Sequence, residues 1–89
     1  MDANDGRKVM GYLPEIIFEN GIDGVVQVVE EKTGEVLYTV RTQGGKFSPR
    51  VYAEGKHTVK VGKDKPDSQT FMGLVSKPEG NPAQLRVKL

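Results

Sequence analysis

His57 is the only histidine of the chain, and there is no cysteine. A general base needs a partner that orients its ring and a substrate proton within reach. His57 stands in Lys56-His57-Thr58-Val59-Lys60-Val61, where alternation puts its ring on the face of Val59 and Val61. A packed aromatic position explains that placement better than catalysis does. Without cysteine, one histidine leaves carboxylates alone to complete a zinc site, a poor match to the donors zinc prefers. Ser48, Ser68 and Ser76 lack the Gly-x-Ser-x-Gly surroundings of a nucleophile elbow. Asp64, Asp67 and Ser68 offer oxygens to calcium, but without the regular ligand spacing of a calcium loop, and Lys63 and Lys65 oppose a cation there. Asp23, Glu30, Glu31 and Glu35 fall at turns and strand ends, and no two are forced together as an acid–base pair. Gly44-Gly45-Lys46 lacks the spacing of a phosphate-binding loop, and a strand follows it instead of a helix. No catalytic, cofactor-binding or metal-ligating residue is expected, and the chain does not read as an enzyme.

Contact chemistry is a separate matter. Tyr12, Tyr52 and Arg50 are the side chains best suited to meet a ligand or a partner. Tyr12, Tyr38 and Tyr52 could stack on a sugar, although with no tryptophan and three separate strands, packing is the simpler role. Lys56, Lys60, Lys63, Lys65 and Arg50 could form a basic strip, but Glu54, Asp64 and Asp67 interrupt it.

The elements that must position these residues are short. The chain has 89 residues, enough for one core, with 11 glycines, 5 prolines and 36% hydrophobic residues. That composition suits brief strands and many turns. Thirteen basic and 12 acidic residues give a net charge of +1, so no single-sign field invites nucleic acid. No apolar run approaches the length of a membrane helix. The absence of cysteine fits the cytosol and an exported bacterial domain alike.

Residues 1–11 read as a flexible lead and 12–89 as one domain. Seven strands are expected: 12–19, 25–29, 36–41, 47–52, 56–61, 69–75 and 83–89. Pro14 marks the first as an edge strand or as one whose regular part starts at Glu15. The β-branched run Val25–Val29 reads as a central strand. Gly34 suits a positive φ in the turn to the next strand. Residues 47–52 and 56–61 read as a β-hairpin about Ala53-Glu54-Gly55. No window shows a helical apolar period with caps, so no long helix is expected. The expected core is Ile16, Phe18, Val26, Val28, Val36, Tyr38, Val40, Phe47, Val51, Val59, Val61, Leu85 and Val87. The class is all-β, a small sandwich of about seven short antiparallel strands.

The runs Thr33-Gly34-Glu35, Tyr38-Thr39-Val40-Arg41, Gly45-Lys46-Phe47 and Ala53 to Val61 resemble the carboxypeptidase regulatory-like, or prealbumin-like, group of Ig-like β-sandwiches. Collagen-adhesin B-type repeats share the pattern. The resemblance covers residues 22–61, and His57 stands where that group places a core tyrosine. It implies a non-catalytic accessory or spacer module of a larger exported bacterial protein, extracytoplasmic in such a context. Its partner would be a neighbouring domain, another protein or a glycan, with the isolated domain a monomer. The isopeptide chemistry of the adhesins needs a buried lysine, asparagine and acid together, and Asn20 and Asn81 lie in turns here.

Overall fold

The computed structural model describes residues 8–89. Two prolines determine how its first layer is divided. Residues 11–18 run antiparallel to 45–51 as one ribbon, broken on both sides where proline removes a backbone donor. On one side the break is Leu13-Pro14, between β1 (Gly11–Tyr12) and β2 (Glu15–Phe18). On the other it is Ser48-Pro49, between β5 (Lys46–Phe47) and β6 (Arg50–Val51). The register steps by one residue across the break, from Tyr12 opposite Arg50 to Ile16 opposite Phe47. Inside the gap Leu13 N donates to Pro49 O at 3.0 Å, so the ribbon holds together. Two of the seven expected strands are thus divided, and the described residues form nine.

The second layer is β3 (Val25–Glu30), β4 (Val36–Arg41), β7 (Lys56–Gly62) and β8 (Gln69–Val75), in the order β4-β3-β7-β8. All its pairs are antiparallel. The valine run is central, as its composition implies. The turn between β3 and β4 closes with Gly34 N donating to Glu30 O at 2.8 Å, and Gly34 has φ +75°. The only helical geometry among the described residues is a three-residue 3-10 turn, Glu19–Gly21.

β9 (Gln84–Val87) completes the first layer, whose order is β5-β2-β9. It runs parallel to β2, from Glu15 opposite Gln84 to Phe18 opposite Val87. The expectation of wholly antiparallel strands is corrected here. Alternation of apolar residues reads the same in either direction, so it carries no strand polarity. Of the two readings of residues 12–19, the regular part does start at Glu15, while the edge placement is corrected, because β2 lies between β5 and β9. The hairpin of 47–52 with 56–61 does not form. Both edges of β7 are occupied, by β3 and β8, and the turn at residues 53–55 carries the chain from one layer to the other.

The core lies between the layers. Ile16, Val26, Val28, Val51, Val59, Val61 and Val87 are wholly enclosed, with Leu13, Phe18 and Tyr38 beside them. Val40, Phe47 and Leu85 are partly buried at its margin. Val36 was expected inside and is 50% exposed. The cause is a bulge: Val28 faces Tyr38 but Val29 faces Val36, so Leu37 is an extra residue that reverses the alternation and packs on the core itself. Of the expected lead, residues 1–7 lie outside the described residues. Met10 N donates to Val51 O at 2.8 Å and Gly11 pairs with Val51, so the ribbon includes the last two residues of that segment.

Val59→Ala should lower the unfolding free energy by about 2–3 kcal/mol in urea melts, because it opens a cavity in the enclosed core. Val36→Ala should change it by less than about 0.5 kcal/mol. Equal losses at the two positions would contradict the bulge.

Candidate functional site

Tyr12 and Arg50 face each other across the β1–β6 pair. Tyr12 also exchanges two backbone hydrogen bonds with Lys77, at 2.9 and 3.0 Å, which ties β1 to the end of β8. Tyr52 is not part of that pairing. Its ring meets Tyr38 edge-on at 6.4 Å, and Phe47 also meets Tyr38 edge-on, at 6.3 Å. Arg50 contributes through its backbone, accepting the Tyr38 hydroxyl at 2.6 Å. Burial, together with the nearby Tyr52, pushes the Tyr38 phenol well above its ordinary value. The structure therefore brings Tyr12 and Arg50 together and commits Tyr52 to an aromatic cluster.

Beside Tyr12 lies a surface depression of about 370 Å³, lined by Tyr12, Leu13, Glu15, Ser48, Glu79, Gly80 and Asn81. The break at the two prolines makes room for it, since residues 13–15 and 48–49 leave the ladder there. Glu15 is held at its rim by Gln84 Nε2 at 3.3 Å and Ser48 Oγ at 3.4 Å. Asn81 is held harder: its Nδ2 donates to the carbonyls of Val75 and Tyr12 at 3.3 and 3.4 Å, and its Oδ1 accepts from Ala83 N at 3.0 Å. The depression presents one phenol ring, carboxylates and a hydroxyl. Those groups can hydrogen-bond a polyhydroxylated or amide ligand, and none of them is a poised nucleophile–base pair. A second depression of similar volume is lined by Glu31, Lys32, Glu54, Gly55 and Lys56, whose charges alternate in sign.

His57 is fully buried on β7, as a packed aromatic would be. Its Nδ1 lies 3.3 Å from Gly55 O, while Nε2 has no hydrogen-bond partner. No group of three or more histidines, cysteines or carboxylates converges on a metal position among the described residues. Asp64 lies 4.0 Å from Arg41, on the surface.

The most connected polar groups are ones that sequence reasoning left as ordinary turn residues. Asp23 Oδ1 accepts from Gly45 N at 2.7 Å and from Thr42 Oγ1 at 3.0 Å, and Thr42 Oγ1 accepts from Gly24 N at 3.1 Å. This node pins the start of β3 to the turn between β4 and β5. Gly45 has φ +76°, and a Cβ there would stand 3.0 Å from Gly21 Cα. Glu31 Oε2 accepts from Gly73 N at 2.5 Å and from Thr58 Oγ1 at 3.0 Å. The Gly73 amide first, and then the Thr58 hydroxyl, hold the Glu31 carboxyl below its ordinary value. Asp23 and Gly45 are 22 residues apart, and Glu31 and Gly73 are 42 apart. No local spacing rule reaches across such separations.

No protein-family model matches this chain, and no curated protein or solved structure matches it.

Two outcomes follow from these bonds. A carboxylate with a lowered folded value stabilises the protein at neutral pH and loses that contribution as pH falls through that value. Glu31→Gln should therefore flatten the decline of thermal stability below about pH 4.5, the ordinary value of the group, while lowering stability at pH 7. An unchanged pH profile would refute the role given to the Gly73 amide. Tyr38→Phe should cost about 1–2 kcal/mol in urea melts, for the lost bond and the carbonyl left behind.

Proposed function

We propose that the chain is a non-catalytic accessory or spacer β-sandwich module of a larger exported bacterial protein, working outside the cytoplasm. The observation that carries this reading is how its polar side chains are used. Asp23, Thr42, Glu31, Thr58, Asn81 and Tyr38 each bond groups distant in sequence and lock one strand or turn to another. A module that holds a neighbour in position needs that cross-linking more than it needs reactive groups. The resemblance to prealbumin-like sandwiches supports the same reading, and the fully buried His57 sits where that group would pack a tyrosine.

The depression beside Tyr12 favours one second reading, a glycan- or protein-binding module. Its aromatic ring and rim carboxylates are the groups by which sugars are held, through stacking and bidentate hydrogen bonds. Tyr12 is the residue to test, because Tyr52 is bound up with Tyr38.

The spacer reading expects one cooperative thermal transition for the chain and no saturable signal on a glycan array. Saturable binding to a defined glycan, lost in Tyr12→Ala at unchanged melting temperature, would overturn it in favour of the second reading.

A further inference from the structure

β8 is the outermost strand of its sheet beside β7, and both its ends are tied by bonds that do not titrate. At its start Ser68 N donates to Val61 O at 2.9 Å, and Gln69 Nε2 donates to Lys88 O at 3.0 Å. At its far end Asn81 Nδ2 donates to Val75 O at 3.3 Å, and Lys77 exchanges two backbone bonds with Tyr12. The middle is held differently. Val59 faces Phe71 and His57 faces Leu74, so Met72 and Gly73 together stand opposite the single residue Thr58. Gly73 takes φ +70° in this bulge. Its amide donates to Glu31, which reaches over β7 from the residue after β3. One oxygen, Glu31 Oε2, accepts both Gly73 N at 2.5 Å and Thr58 Oγ1 at 3.0 Å. A single charged group thus fastens the bulge.

What lies behind the bulge has a reason to be uncovered. Leu74 packs on the core and is the cross-strand neighbour of His57, which faces Glu30 of β3 on its other side. His57 is wholly buried, and its Nε2 has no hydrogen-bond partner. A buried polar atom without a partner gains a bond to water when its cover opens. That gain favours opening, and the bond from Gly73 to Glu31 opposes it.

We propose that Glu31 is an acid-released latch: its ionised carboxylate keeps residues 72–74 closed beside His57, and its protonation lets that segment lift from β7. The hold depends on charge, because an amide bonds a carboxylate about twice as strongly as it bonds a neutral oxygen. The groups around Glu31 keep it ionised at neutral pH. The Gly73 amide and then the Thr58 hydroxyl lower its carboxyl below the ordinary value, and Lys56 and His57 on β7 add to that. Lys32 beside it is a further cation, Glu30 and Glu54 carry like charge, and β8 has no charged side chain. A lowered folded value means that the latch is engaged above the ordinary value and released as pH falls through the lowered one. Acid then uncovers the one imidazole of the chain while both ends of β8 stay tied. This role goes beyond the accessory reading and does not rest on it.

His57 is the only histidine, so its carbethoxylation reports the cover directly. At pH 7 the parent chain should react slowly. Glu31→Ala should react about tenfold faster, as expected for loss of a bond to a charged acceptor. Thr42→Ala weakens the far end of β3 and controls for general loss of stability, and its rate should match the parent's. In nitrogen–proton NMR spectra the Gly73 amide proton should move upfield below about pH 4.5, as the carboxylate it bonds is protonated. Glu31→Gln, which keeps an oxygen acceptor, should abolish that movement. A Gly73 signal that does not respond in this range overturns the proposal. So does a His57 that reacts no faster in Glu31→Ala than in the parent, or a Thr42→Ala variant that accelerates as much as Glu31→Ala.

Discussion

β7 is the strand on which the rest of the structure depends. Both its edges are paired, to β3 and β8. One face sends His57, Val59 and Val61 into the core. The other buries Thr58 under Glu31, and Gly62 has no room for a side chain, since the carbonyl of Lys65 lies against the position a Cβ would take. A strand enclosed in this way tolerates little variation in register, because a slip of one residue would exchange its inward and outward sets. The neighbouring strands inherit their register from it, and the core residues of β3 are placed by pairing Val26 with Val61 and Val28 with Val59.

That enclosure explains where the sequence could be read and where it could not. The valines of β3 and β7 show their period plainly, and Ile16 and Phe18 point inwards as their alternation implies. His57 was legible as a packed residue for the same reason. Strand partners were not legible. The residues from Phe47 to Val61 look like a hairpin, yet tertiary pairing assigns the two halves to different sheets. Local turn signals describe how a chain bends and not which edges are vacant when it returns. Val36 was misplaced because a bulge leaves no mark in a hydrophobic pattern. Leu13 was missed because the proline beside it disguises a fully enclosed position.

The polar features were the least legible, and the reason is distance along the chain. Asp23 and Asn81 look like turn residues, and they are. Their bonds to Gly45, Tyr12 and Val75 arise only once the sheets are stacked. Tyr12 and Arg50 stand out one at a time in the sequence, and what joins them is register across a ribbon. The depression beside them exists because two prolines interrupt that ribbon at the same level, so a backbone constraint at Pro14 and Pro49 creates the most ligand-like surface near any of the three candidates.

The parallel pairing of β2 with β9 has a mechanical meaning. The two strands lie side by side and point the same way, so residue 15 and residue 87 sit at opposite ends of one four-residue ladder. Tension applied between those residues slides the strands past each other and loads every rung of the ladder together. An antiparallel pair gripped at one end would open rung by rung under the same tension. The shear arrangement makes the chain a link that resists stretching along its length, with the enclosed side chains of Ile16, Phe18 and Val87 sharing the load with the backbone.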